Sequence, residues 1–324
     1  MRLSEMLSEL VPGSYARSNP RIEPPGAVVV VTGGARGIGA EIARQFAEAE
    51  ATVWIGDVDA DVAADTAGVI DGARSAVLDV TDAVSWREFV SKVLDECGRI
   101  DILVNNAGVM PVGAFLEESE ATADLILDVN VRGMLNGMRA VLPSMLGEGR
   151  GHIVNIASMA GMLPLPGMVS YNASKFAAYG ASLAARREYD GTGVTVSAIL
   201  PAAVRTELAS GADLGGVLPT VDPQDVARAV VRTVRTRAAR TSVPGWVLPG
   251  WSIADLFVPE SVERVARTLA GHGQALALDA AERSAYLARI ARQASDHAAG
   301  GHSGGTVVDG AVVDSAGTSE VRAR

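Results

Sequence analysis

The stretch Ala27-Val28-Val29-Val30-Val31-Thr32-Gly33-Gly34-Ala35-Arg36-Gly37-Ile38-Gly39 decides the fold. Its apolar, mostly β-branched run at 27–31 predicts a strand covered on both faces, as in a parallel sheet. Glycines follow at once, and residues 38–49 then read as a helix. In that setting Gly33 permits a tight turn, Gly37 lets backbone approach a pyrophosphate, and Gly39 allows close helix–strand packing. The N–H groups that open the helix, with its positive dipole end, suit phosphate oxygens, and Ile38 stands among them. A glycine pattern alone is weak and can be a bare turn; the strand before it and the helix after it give it weight.

Outward from this loop the pattern repeats. Short apolar runs at 52–55, 76–78, 102–104, Gly151–Ile156 and 195–200 read as strands, separated by helical stretches that include 84–97 and 121–146. Such alternation implies right-handed crossovers and an α/β fold: a Rossmann-type doubly wound parallel sheet in a three-layer α/β/α sandwich. Residues 1–25 read as an arm and 26–245 as the main domain. Within it, 223–237 is a helix opened by Asp222 and Pro223, and 241–244 a last short strand. Residues 246–297 form an extension, apolar at 246–259 and helical at 261–269 and 280–293. Residues 298–324, rich in Gly, Ser, Ala and Val without helical period, read as a disordered tail.

Composition excludes several classes of function. A net charge of −10 over 324 residues argues against a nucleic-acid partner, which needs clustered Lys and Arg. One cysteine, Cys97, rules out an internal disulfide, and with four scattered histidines leaves no metal site. Glu5, Glu9 and Glu23 interrupt any signal-peptide core, and no apolar run reaches the length of about 18 residues that a membrane span requires. The expectation is a cytoplasmic enzyme acting on a small molecule.

Asp57 follows the second strand, 18 residues after Gly39. That is close to the ~20 at which a carboxylate meets the adenosine ribose hydroxyls. A carboxylate there repels a 2′-phosphate and favours NAD over NADP, while Arg36 beside the loop pulls the other way or is simply a solvated charge. Ser158 lies just after the fifth strand, and Tyr171-Asn172-Ala173-Ser174-Lys175 begins 13 residues later. Spacing of four places Tyr171 and Lys175 on one helix face. A phenol with an ordinary pKa of about 10 needs help to act as a base. The Lys175 charge supplies it, and Ser158 can hold the reacting oxygen against Tyr171. On spacing alone, such a Tyr–Lys pair also occurs as a plain surface pair.

Together these segments resemble the short-chain dehydrogenase/reductase family, in its branch with cores of about 250 residues. The likeness runs from about 27 to 208. Thr32 to Gly39 resembles its TGxxxGxG loop, Asn105-Asn106-Ala107-Gly108 its NNAG segment, and Asn130 the helix asparagine of its tetrad. Ser158 with Tyr171 and Lys175 completes that tetrad. The resemblance implies that Asp79 and Val80 flank the adenine and that Asn106 holds the adenosine side. Asn130 would bind a water linked to Lys175, and Lys175 would bond the nicotinamide ribose. Pro201-Ala202-Ala203-Val204-Arg205-Thr206 resembles the family's PGxVxT, putting Val204 at the carboxamide and Thr206 at the phosphates. Ala202 replaces a glycine, and its methyl is expected to shift the backbone and narrow the pocket. Asn130 as a helix brace and Asp79 as a turn residue are the plainer alternatives. The family's habit of pairing through the helices after the fourth and fifth strands implies a homodimer or homotetramer.

Residues 159–170 pass beside the reacting carbon and are almost devoid of polar groups. They suggest a lipophilic secondary alcohol or ketone, steroid-like or long-chain, unless Met162 and Leu163 simply pack in the core or at a subunit contact. The piece at 279–293, with Glu282, Arg283, Tyr286 and Arg289, resembles tails of actinobacterial members. It suits a lid or a subunit contact better than a lipid surface, which an acidic chain avoids. The rivals to an NAD-dependent dehydrogenase are an NADPH-dependent 3-oxoacyl-type ketoreductase and a non-catalytic nucleotide sensor on the same fold.

Overall fold

The structure, a computed structural model, describes residues 19–209, 219–249, 251 and 280–299. Seven parallel strands form the central sheet in the order β3-β2-β1-β4-β5-β6-β9. They are Val28–Thr32 (β1), Thr52–Asp57 (β2), Ala73–Val77 (β3), Ile102–Asn105 (β4), Gly151–Ile156 (β5), Val194–Pro201 (β6) and Arg240–Val243 (β9). Ala203–Val204 (β7) and Thr220–Val221 (β8) make a separate two-strand ribbon. The sheet is doubly wound, because strand order reverses direction between β1 and β4. Ligands of such sheets sit in the crevice outside the strands' carboxyl ends at that switch point.

Helices cover both faces. Gly37–Glu48 (α1), Ala60–Gly68 (α2), Ala83–Cys97 (α3), Glu120–Leu127 (α4), Met134–Gly147 (α5), Val169–Glu188 (α6) and Pro223–Thr236 (α7) follow in chain order, and Ala280–Ala299 (α8) comes last. The valines of β1 alternate between two apolar clusters. Val29 and Val31 pack with Ile42 and Phe46 of α1, while Val28 and Val30 pack with Trp54, Trp86 and Phe89. All four are buried, as the unbroken apolar run predicted. Local chemistry sets the helix starts. Asp82 accepts from the N–H groups of Val84 and Ser85, and Asp222 and Asp225 form a reciprocal capping box around Pro223.

The structure differs from the sequence expectation in four places. β3 spans Ala73–Val77 rather than 76–78, because an edge strand carries polar Arg74 and Ser75 that an apolar-run criterion rejects. α2 went unpredicted; only Ala63 and Ala67 of it are buried, too thin an apolar face to register. The single helix expected at 121–146 is three segments, with a π-helical turn at Asp128–Gly133 between α4 and α5. The last helix continues to Ala299, beyond 293 and into the segment expected to be a tail. The expected arm over 1–18, the helix at 261–269 and the tail from 300 onward lie outside the described residues.

Candidate active site

A cleft of about 1290 Å³ opens at the carboxyl ends of the strands. Every residue singled out from the sequence for catalysis or cofactor binding lines it, except Gly39 and Asn130, which lie behind its wall.

At one end stands the glycine loop. Gly33 and Gly37 have φ of +62° and +56°, a left-handed backbone that favours glycine. A methyl on Gly39 would overlap the Gly33 carbonyl, and one on Gly33 would lie 2.7 Å from the Ala107 Cα. The loop therefore packs directly on the NNAG segment. Thr32 Oγ1 accepts from the N–H groups of Asn106 (3.0 Å) and Ala107 (3.1 Å), and the Asn106 amide donates to the carbonyls of Thr32 and Gly33 at 2.9 Å each. Asn106 thus braces the loop itself. α1 begins at Arg36 with no side-chain cap and no acidic residue in its first turn, so its positive end faces the cleft uncompensated. Thr206 lies alongside, its Cγ2 3.5 Å from where a Gly37 Cβ would be. These features fit a dinucleotide's pyrophosphate: a cradle that only glycines leave open, and donors without internal partners.

Beside the loop, Asp57 accepts from the N–H groups of Ala35 (3.0 Å) and Asp59 (3.1 Å). Arg36 is paired with Asp59 at 2.7 Å. Two carboxylates thus stand beside the glycine loop, and Arg36 is engaged by one of them. Asp79 closes a small turn by accepting from both the N–H and the hydroxyl of Thr81, at 2.8 and 2.7 Å. It is a turn residue and lines the cleft as well.

At the other end Ser158, Tyr171 and Lys175 converge. Tyr171 is buried, and burial pushes its phenol above the ordinary value, while a hydrogen bond with the Ser158 hydroxyl pulls the other way and nearby Tyr286 adds to the rise. Lys175 Nζ lies 5.6 Å from the Tyr171 ring centroid and donates to the Ile156 carbonyl at 3.0 Å. Burial lowers its pKa from 10.5 to about 8, so it carries its charge at neutral pH. Holding that charge costs on the order of 3 kcal/mol, a penalty that shrinks as pH rises past the folded pKa and is gone once pH passes the unfolded one. A folded pKa below the unfolded value makes stability rise with pH between about 8 and 10.5. We expect the unfolding temperature of the wild type to gain on that of Lys175→Met across this window; a difference that stays flat with pH contradicts the assignment.

Asn130 sits in the π-helical turn, 3% exposed. Its amide oxygen accepts from Val109 N (2.8 Å), and its nitrogen donates to Val109 O (2.9 Å) and Ser174 Oγ (3.0 Å). Ser174 in turn donates to Tyr171 O at 2.7 Å. Asn130 therefore ties the NNAG strand end to the helix that carries Tyr171 and Lys175. Ser174 had no assigned role in the sequence reading, though its place three residues after Tyr171 on one helix face was the available signal. A methyl built on Gly108 would lie 3.1 Å from Asn130 Oδ1 and 3.5 Å from Lys175 Nζ, so the three meet at one point.

Ala202 stays out of the left-handed region, its N–H donates to Val243 O at 2.9 Å, and it lines the cleft. Of the apolar 159–170 segment, Met159, Ala160, Leu165 and Met168 line the cleft, while Leu163 is buried and Met162 packs half-buried against the core. From α8, Tyr286, Arg289, Ile290, Gln293 and His297 also reach the cleft. Among the described residues no helix is long and apolar enough to cross a membrane, and no three His, Cys, Asp or Glu groups are placed to hold a metal ion.

Comparison with known proteins agrees with this geometry. The family model described as short chain dehydrogenase matches residues 27–214. An uncharacterized oxidoreductase of Staphylococcus saprophyticus is 38% identical over 209 residues, covering 63% of this chain and 89% of its own. A 2,5-dichloro-2,5-cyclohexadiene-1,4-diol dehydrogenase of Sphingobium indicum is 37% identical over 190 residues, covering 56% and 75%. Among solved structures, a short chain dehydrogenase/reductase from Burkholderia phymatum in complex with NAD superposes with a TM-score of 0.65 at 27% identity, covering 71% of this chain and 92% of its own.

Proposed function

The chain belongs to the short-chain dehydrogenase family of oxidoreductases, and from that premise we propose that it interconverts a lipophilic secondary alcohol and its ketone using NAD. The observation that carries this reading is the convergence of Ser158, Tyr171 and a buried, charged Lys175 on one end of a cleft whose other end is a glycine cradle. Bound nicotinamide would accept or return the hydride. The cradle of Gly33, Gly37 and Ile38 with Thr206 would hold the diphosphate, Asp57 the adenosine ribose, Asp79 and Val80 the adenine side, and Lys175 the nicotinamide ribose. Ala107, Gly108, Pro201 and Val204 would line the nicotinamide end.

In the oxidative direction Tyr171 takes the proton from the substrate hydroxyl. Its buried phenol resists ionisation, so the Lys175 ammonium and the Ser158 hydroxyl must both favour the phenolate. Ser158 orients the oxygen that Tyr171 deprotonates. Asn130 holds its neighbours in register, and its backbone carbonyl or the second lone pair of its amide oxygen is the place for a water that passes the proton onward. The apolar surface of Met159, Leu165 and Met168 favours a substrate with a hydrocarbon body, and the Sphingobium relative is itself named for an alcohol.

Initial rates with NAD⁺ and with NADP⁺ over secondary alcohols, from isopropanol to steroidal alcohols, test the reading. Turnover preferring NAD⁺ and bulky apolar alcohols supports it. NADPH-linked reduction of 3-oxoacyl thioesters alone moves the weight to a ketoreductase, and tight NADH binding with no turnover moves it to a sensor. Asp57→Ala should then improve the NADP⁺ to NAD⁺ ratio of kcat/KM by about tenfold or more, since removing one close carboxylate is worth on the order of 1.4 kcal/mol. An unchanged ratio would remove Asp57 from cofactor selection. Exposed Leu127 and Leu146 after β4, with Val169 and Phe176 after β5, support assembly as a homodimer or homotetramer. A monomer mass by light scattering would end that part of the proposal.

A further inference from the structure

The segment 106–110 separates the cofactor cradle from the apolar end of the cleft, and side chains from elsewhere hold four of its backbone N–H groups. Thr32 holds those of Asn106 and Ala107, and Asn130 that of Val109. The fourth, Met110 N, donates to the Tyr286 hydroxyl at 2.7 Å. Thr32 and Asn130 lie within the span matched by the family model, whereas Tyr286 lies well beyond its end at 214. The extension thus completes a set of anchors begun by the core.

α8 is fastened to both walls of the cleft. On one side Arg289 makes a two-oxygen contact with Glu207, at 2.9 Å to each oxygen, in the loop after β7. On the other, His297 Nε2 lies 2.7 Å from Asp128 Oδ2 in the π-helical turn. On the same helix Tyr286, 1% exposed, and Ile290 pack against Val109, Leu125 and Ile126. Tyr286 lines the same cleft as Met110, Met168 and Tyr171, and is near enough to Tyr171 to bear on its ionisation.

We propose that α8 is a wall of the substrate pocket and that Tyr286 is a positioning and specificity-determining residue, fixing Met110 through its backbone and bounding the space beyond Tyr171. This rests on the function proposed above and deepens it. The substrate it implies carries an apolar body on one side of the carbinol carbon, enclosed between Met110, Met168 and the Tyr286 ring. The hydroxyl of Tyr286 acts through Met110, and its ring acts by contact.

The test uses the full chain carrying Tyr286→Phe, which keeps the ring and removes the hydroxyl. Losing one hydrogen bond to a buried amide should speed amide exchange over 106–112 by about 3- to 10-fold, leaving the strands of the sheet unchanged. The ratio of KM for a long-chain methyl carbinol to KM for isopropanol should rise by about 3- to 10-fold, since only a long body reaches this wall. A merely structural tyrosine would lower the unfolding temperature and leave the ratio of the two KM values alone; that result, or unchanged exchange over 106–112, overturns the proposal. If the wild type turns over no alcohol, the proposed chemistry fails by itself. The exchange measurement, which needs no substrate, then still decides whether Tyr286 holds Met110.

Discussion

Tyr171→Phe is expected to lower turnover by about 10²- to 10⁴-fold, the usual worth of a positioned acid–base group, while NADH binding survives. The substitution removes one oxygen. The ring keeps its packing with Met110, Ala160 and Met168, so the wall stands and the fold has no reason to respond. Lys175 keeps its bond to Ile156 O and its charge, and the cradle at the far end of the cleft is untouched. What disappears is the hydroxyl that meets Ser158, on a ring whose centroid lies 5.6 Å from Lys175 Nζ. Loss of turnover with retained NADH binding, measured by fluorescence titration, is the predicted pair of results. Turnover within a factor of a few of wild type would assign the proton transfer to another group.

Gly39→Ala should produce the converse failure, with cofactor binding lost. Its methyl would fall on the Gly33 carbonyl and 2.5 Å from the Asn106 amide nitrogen, both backbone-anchored and unable to move separately. Either the start of α1 retreats or the loop rises toward the phosphate site. Overpacking of this kind costs about 1–3 kcal/mol of stability. Because the same movement displaces the N–H groups meant for the diphosphate, NADH affinity should fall by about tenfold or more. Calorimetric titration together with thermal unfolding checks both. An alanine variant that binds NADH like the wild type would mean that the cradle does not hold the diphosphate.

The parts of this molecule legible in the sequence are those whose physics is local. The β1 valines, the glycine loop and the Tyr171–Lys175 spacing each state their conformation within a few residues, and the structure brings the loop, Tyr171 and Lys175 to one cleft. What stayed hidden depends on distant partners. The π-helical turn at Asp128–Gly133 interrupts a stretch of continuous helical pattern. It carries Asn130, whose amide is held by Val109 on a different element, and Gly133, where a methyl would lie 2.7 Å from Val80 Cγ2. No periodicity encodes either contact. β3 hid because an edge strand tolerates polar side chains, and α2 because its buried face consists of two alanines. Asn106 was legible as a site residue, but that it also ties two loops together only the hydrogen bonds to Thr32 and Gly33 reveal. The extension was visible as a helix suited to a lid or a subunit contact. Its contacts with Met110, Glu207 and Asp128 span more than 80 residues and lie beyond any local reading.

The central claim, hydride transfer from a carbinol carbon to NAD in this cleft, is tested most directly with secondary alcohols deuterated at that carbon. The wild type is incubated with NAD⁺ and a panel running from isopropanol to steroidal alcohols, and the reduced cofactor is examined by mass spectrometry. The account predicts one deuterium in the NADH for each ketone formed, with the largest yield from bulky apolar alcohols and a rate of labelling about 10²- to 10⁴-fold lower in Tyr171→Phe. Reduced cofactor without the label, or label transfer that persists undiminished in Tyr171→Phe, would contradict it.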